Sequence, residues 1–113
     1  MNVTIYHNPG CSNSRRALEL IRAAGIAPTI VEYLDTPLDE AALRGLFARM
    51  HVSPRDAIRE KETVYAELGL AGADDGALIA AMAAHPILLN RPIVVTAKGA
   101  KLCRPGDAVK ELL

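Results

Sequence analysis

One hundred and thirteen residues suit one folded domain, and half of them are hydrophobic, enough to fill a core without disulfide or metal staples. Thirteen Lys and Arg balance thirteen Asp and Glu, which speaks against a partner bound through many phosphates, such as a nucleic acid. No apolar run approaches the roughly 18 residues of a membrane span, and Met1-Asn2-Val3-Thr4-Ile5 is neither a basic leader nor a signal-peptide stretch. The expected compartment is the cytoplasm, where Cys11 and Cys103 stay thiols.

Residues 2–6 are short, β-branched and aromatic, and run into the turn formers His7-Asn8-Pro9-Gly10. A strand followed by a loop is expected. Ala17, Leu18, Leu20, Ile21 and Ala24 then recur at helical spacing and stop at Gly25, a residue suited to a left-handed helix end, so a helix is predicted over 13–24. Pro28 to Tyr33 reads as a second strand, parallel to the first. Thr36-Pro37-Leu38-Asp39 offers a capping hydroxyl, a proline at the first helical position and an acid near the positive helix end; Ser53-Pro54-Arg55-Asp56 repeats that grammar. A short helix is predicted over about 63–68, ending at Gly69, and another from a cap at Asp74 to His85. Pro92 to Thr96 and Ala100 to Cys103 read as a hairpin turning at Ala97-Lys98-Gly99, and Pro105 opens a last helix through Val109 and Leu112.

This order predicts an α/β, thioredoxin-like fold, βαβ plus ββα, with a helical insertion at about 38–85 between the two halves of a single domain 1–113.

Cys11 falls between a strand and a helix start, where unpaired N–H groups and the positive end of the dipole favour an anion. Arg15, Arg16 and His7 would add positive charge, so its thiol is expected well below the ordinary value of about 8.5, with Cys103 ordinary. From position alone, a small packing residue beside solvated arginines fits equally. A tyrosine-phosphatase-like loop needs an arginine six positions after its cysteine, and that position is Ala17. A dithiol C-x-x-C motif needs a cysteine where the chain has Ser14, so a disulfide from Cys11 requires an outside thiol unless Cys103 lies close. Cys11, Cys103, His7, His51 and His85 lack paired metal-ligand spacing, and no metal site is expected.

Arg59, Arg91 and Arg104 each stand near an element end. Three converging guanidiniums would bind a tetrahedral oxyanion through paired hydrogen bonds; separate surface or salt-bridging arginines are the alternative. In a thioredoxin-like domain, a cis proline at Pro92 would face the catalytic loop.

Taken together, Ile5-Tyr6-His7-Asn8-Pro9 with Cys11, Ser14 and Arg15, Ile58-Arg59, Tyr65-Ala66-Glu67-Leu68-Gly69-Leu70, His85 through Thr96, and Leu102-Cys103-Arg104-Pro105 resemble the glutaredoxin-coupled arsenate reductase family across essentially the whole chain. The resemblance implies that Cys11 is the nucleophile, that Arg59, Arg91 and Arg104 bind the arsenic oxyanion, and that His7, Ser14, Arg15 and Pro92 support them. It also implies arsenate as substrate, glutathione as co-substrate, glutaredoxin as protein partner and no bound metal, flavin or nicotinamide. Some relatives carry a tail beyond the position of Leu113, a difference expected to bear on stability or dimer contacts more than on chemistry. Two other functions remain open on this fold: a redox-responsive regulator of RNA polymerase of the Spx type, against which Ser14 speaks, and a monothiol glutathione-handling protein, against which the three arginines speak.

Overall fold

The computed structural model describes residues 1–113. By its internal contacts the chain divides into two units, Met1–Thr36 with Arg91–Leu113, and Pro37–Asn90.

The first unit is built on a four-stranded sheet in the order β2-β1-β3-β4. Strand β1 (Thr4–Tyr6) leads through a loop into α1 (Ser12–Ala23) and then β2 (Thr29–Val31); β3 (Ile93–Thr96) and β4 (Gly99–Leu102) form the hairpin. Parallel pairing sets Ile5 opposite Ile30, and antiparallel pairing sets Ile5 opposite Val94 and Val94 opposite Lys101. The two edges are short: β2 has three residues and β4 four. Helix α1 buries Ser14, Ala17, Leu18 and Ile21, and its apolar members join Val3, Ile5, Val94, Cys103, Val109 and Leu112 in one cluster. Truncating a fully buried member such as Ile21 to alanine costs about 2–5 kcal/mol. The end of α1 is a Schellman turn: Gly25, at φ 79°, donates to Arg22 O, while Ile26 donates to Ile21 O and packs on the same cluster.

The chain closes differently from expectation. Residues Gly106–Leu112 form a 3-10 helix rather than an α-helix, and the Arg104-Pro105 bond just before them is cis. Gly106, Val109 and Leu112 are the buried residues of that segment. Their spacing of three stacks them on one side of a three-residue turn, which an α-helix would rotate apart.

The second unit is helical: α2 (Glu40–Met50), α3 (Thr63–Glu67) and α4 (Asp75–Ala84), with 3-10 turns at Pro54–Ala57, Leu70–Gly72 and Pro86–Leu88. The cap of α2 is Asp39, whose carboxylate accepts the Ala42 N–H at 2.8 Å; Thr36 instead closes a turn on Glu32. The helix therefore starts after Pro37, because a carboxylate at the positive end satisfies an N–H and the dipole together. Ser53 and Asp56 form the capping box the sequence pattern suggests, yet only one 3-10 turn follows. Ile58 leaves it to bridge Leu89 in an extended pairing. Asp74 caps α4 through the Ala77 N–H at 2.8 Å, and Gly69 turns at φ 64° behind α3. Arg55 gathers the unit's loops, donating to Tyr65 Oη and to the carbonyls of Leu70 and Ala73. No helix of the protein is long and apolar enough to cross a membrane.

Candidate active site

Cys11 is the N-cap residue of α1, extended at φ −98° and ψ 124°. Its backbone is fixed from both sides: its N–H donates to Asn8 O and its carbonyl accepts the Arg15 N–H, each at 3.0 Å. The side chain is partly exposed. Burial, the largest influence on the thiol, raises its pKa, but the N–H groups of Ser14 and Asn13 and the Arg104 guanidinium together outweigh it and hold the thiol below its ordinary value. No formed capping bond is involved, so the helix N–H groups act on sulfur as dipoles.

The cation on the sulfur is Arg104. Its Nη1 lies 3.6 Å from Cys11 Sγ and donates to the Arg91 carbonyl at 2.8 Å. The charges expected to do this from the sequence are engaged elsewhere. Arg15 donates to the Pro9 carbonyl at 2.8 Å, and Arg16 pairs with Asp107 and Glu19. His7 is buried, and that burial, the dominant influence, with Arg22 and Arg15 nearby, lowers its pKa despite Glu32. A neutral imidazole at neutral pH supplies no positive charge to the thiol, which corrects the sequence-based expectation.

His7, Ser14 and Arg15 are hydrogen-bonded within the loop itself. Ser14 Oγ, fully buried, shares a 2.6 Å hydrogen bond with His7 Nδ1 and accepts the Asn8 N–H at 3.1 Å. His7 N–H is anchored on Val31 O, and Asn8 Oδ1 accepts the Gly10 N–H. The loop from residue 7 to residue 11 is thus pinned at several points. The sequence marks Asn8 as a turn former without this bonding role, and does not mark Asn13. The Asn-Pro-Gly turn grammar carries the signal for Asn8, whereas the partner of Asn13 is 93 residues away in the chain.

Pro92 is buried and cis, as its place before β3 suggested, and its carbonyl accepts the Cys103 N–H. Arg91 and Arg104 are thereby brought together through the Arg91 carbonyl. Arg59 belongs to the helical unit, where Glu62 accepts from its Nε at 2.9 Å and Asn90 Oδ1 from its Nη1 at 3.3 Å. Cys103 departs from expectation: its thiol is not ordinary, because burial pushes it up to about 11. Both cysteines are free thiols. No group of three or more His, Cys, Asp or Glu side chains is placed to hold a metal ion.

A thiol held below its ordinary value at a helix start, beside a four-stranded mixed sheet, is a thioredoxin-like arrangement. The chain belongs to the ArsC family, whose model matches residues 6–112. It is 51% identical over 115 residues to an arsenate reductase of Rhizobium meliloti, covering 100% of this chain and 82% of that one. It is likewise 51% identical over 114 residues to an arsenate reductase of Escherichia coli K12, covering 99% and 81%. Among solved structures, the arsenate reductase from Vibrio cholerae superposes with a TM-score of 0.95 at 44% identity, covering 100% of this chain and 98% of that chain.

Proposed function

We propose that this chain reduces arsenate to arsenite, with Cys11 as nucleophile. The observation that carries this is the guanidinium of Arg104 at 3.6 Å from a thiol held below its ordinary pKa. Arsenate is a doubly charged tetrahedral oxyanion near neutral pH, so an anionic sulfur approaches it only where cations offset the repulsion. Arg104 serves thiolate and oxyanion alike, and Arg91 and Arg59 complete the anion site. His7, Ser14, Arg15 and Pro92 hold the loop and the wall that face the reacting atoms. Arg59 comes from the insertion at about 38–85.

The Cys11 thiolate forms a sulfur–arsenic bond, and an arsenate oxygen leaves as water. A glutathione thiolate then bonds to the Cys11 sulfur; the sulfur–arsenic bond breaks, its electron pair stays on arsenic, and arsenic(V) becomes arsenic(III). Arsenite leaves. The Cys11–glutathione disulfide is reduced by glutaredoxin through thiol exchange, since position 14 is a serine and offers no internal thiol. Two thiols thus supply the two electrons, and no bound redox cofactor enters. A reducing compartment such as the cytoplasm supplies both donors.

The test is arsenate-dependent oxidation of glutathione with glutaredoxin present. Turnover that requires arsenate, glutathione and Cys11 together is expected. Glutathione oxidation indifferent to arsenate would leave a monothiol protein without this activity.

A further inference from the structure

Arg104 is exposed, at a chain position where solvent would ordinarily leave a long side chain free to wander, yet it sits on the sulfur. The residues just after it are tied to the first turn of α1, two to five residues past Cys11. The Gly106 N–H donates to Asn13 Oδ1 at 3.2 Å. Asp107 receives Arg16 through both oxygens, Nε to Oδ1 at 3.0 Å and Nη2 to Oδ2 at 3.3 Å. Gly106 is packed so tightly that a Cβ there would stand 2.4 Å from Asn13 O and 2.9 Å from Arg16 Cβ, so only glycine permits the approach. Glu19 and Lys110 extend the ion pair at 2.7 and 3.8 Å.

We propose that Asn13 and the Arg16–Asp107 pair are positioning residues that hold Arg104 against the Cys11 sulfur. An exposed ion pair contributes little to stability. Here the paired groups are a few residues from the thiol on one side and from its guanidinium on the other, so the pair sets the distance between two groups that must meet. The fork of Arg16 on both oxygens of Asp107 fixes an orientation that a lysine would not. Asn13 fixes the same segment one residue nearer to Arg104. This rests on the assignment of Arg104 to the thiol and oxyanion made above.

The experiment uses the full chain with Cys103→Ala, so that alkylation by a neutral reagent reports Cys11 alone. The thiol titration and the arsenate kcat and KM are measured for Arg104→Ala, Asn13→Ala, Asp107→Asn and Asp107→Glu, and for Asn13→Ala and Asp107→Asn in the Arg104→Ala background. Asn13→Ala and Asp107→Asn are expected to move the thiol titration upward and to raise the arsenate KM about two- to fivefold, with kcat less affected. Asp107→Glu, which keeps a carboxylate for Arg16, stays nearer the parent. Removing the negative charge of Asp107 would by itself favour the thiolate, so an upward movement in Asp107→Asn comes through geometry. In the Arg104→Ala background neither substitution is expected to move the titration upward or to raise KM further, because those effects pass through Arg104. A further upward movement or a further rise in KM there, or folded single variants with parental titration and KM, overturn the positioning role. If Arg104→Ala itself leaves titration and KM unchanged, the assignment of Arg104 fails, and the positioning role falls with it.

Discussion

The two cysteines of the first unit show how little of a thiol's chemistry belongs to the residue. Cys11 stands at a helix start beside a guanidinium and is held below its ordinary pKa, whereas Cys103, wholly enclosed in the core, is pushed up to about 11. The contrast is sharpest because Cys103 adjoins Arg104, the residue that reaches Cys11. One backbone step turns the chain from its buried side to its exposed side. The thiol that burial pushes up and the guanidinium that lies on the other thiol are thus consecutive residues. Burial alone disfavours the charged form at both sites; only where dipoles and a cation oppose it does a nucleophile result.

The largest test of that contrast is loss of function. Cys11→Ser should abolish arsenate reduction, while Cys103→Ala, if folded by circular dichroism, should keep most of it; a folded but inactive Cys103→Ala protein would draw Cys103 into the chemistry. Next comes selectivity of labelling. At pH 7 a thiol of pKa about 11 is ionised to only about one part in ten thousand, so Cys11 should be alkylated by iodoacetamide at least about a hundredfold faster than Cys103, read by mass spectrometry. Comparable rates would erase the distinction.

Arginine chemistry separates thiol activation from anion binding. Arg59→Lys, Arg91→Lys and Arg104→Lys keep the charge but lose the planar fork, and each should lower arsenate kcat/KM about ten- to a hundredfold, from about 1.5–3 kcal/mol for a charge-assisted hydrogen bond. Alkylation of Cys11 should change much less in all three. Undiminished turnover in the Lys variants would leave the thiol chemistry without its anion site.

The smallest effect is on stability, and the two thiols give it opposite signs. Between pH 9.0 and about 11 the unfolded Cys103 loses its proton while the folded one keeps it, so stability should fall as pH rises, by of order 2 kcal/mol. Cys11 contributes stability that is full above its unfolded value of 9.0 and is lost as pH falls through its lower folded value. Denaturant melts of the parent and of Cys103→Ala across pH 8–11 should show a steeper alkaline decline in the parent, by about that amount; equal declines would refute the assignment to Cys103.

Much of this was legible locally. The apolar spacing of Ala17, Leu18 and Ile21 placed α1 within one residue, and Asp74, Gly25 and Gly69 marked ends where they are found. Cys11 at a strand-to-helix loop and Pro92 before β3 followed from the order of elements. What escaped was settled by partners far along the chain. Sequence position points Arg16 at the thiol, yet Glu19 one turn on and Asp107, 91 residues away, hold it. Arg104 became the cation on the sulfur through a contact spanning 93 residues. The start of α2 was misplaced for a different reason: Thr36-Pro37 and Asp39 are both lawful helix openings, and the carboxylate makes the better cap.

The brevity of the sheet's outer strands bears on how the protein behaves when crowded with copies of itself. A second chain can extend a sheet only by pairing with free edge N–H and C=O groups. β2 presents just three residues, and Pro28 immediately before it has no N–H to offer. Ile30, partly exposed at 38%, has too short a stretch of backbone around it to seed a ladder between molecules. At high concentration the chain thus carries its own protection against edge-to-edge aggregation.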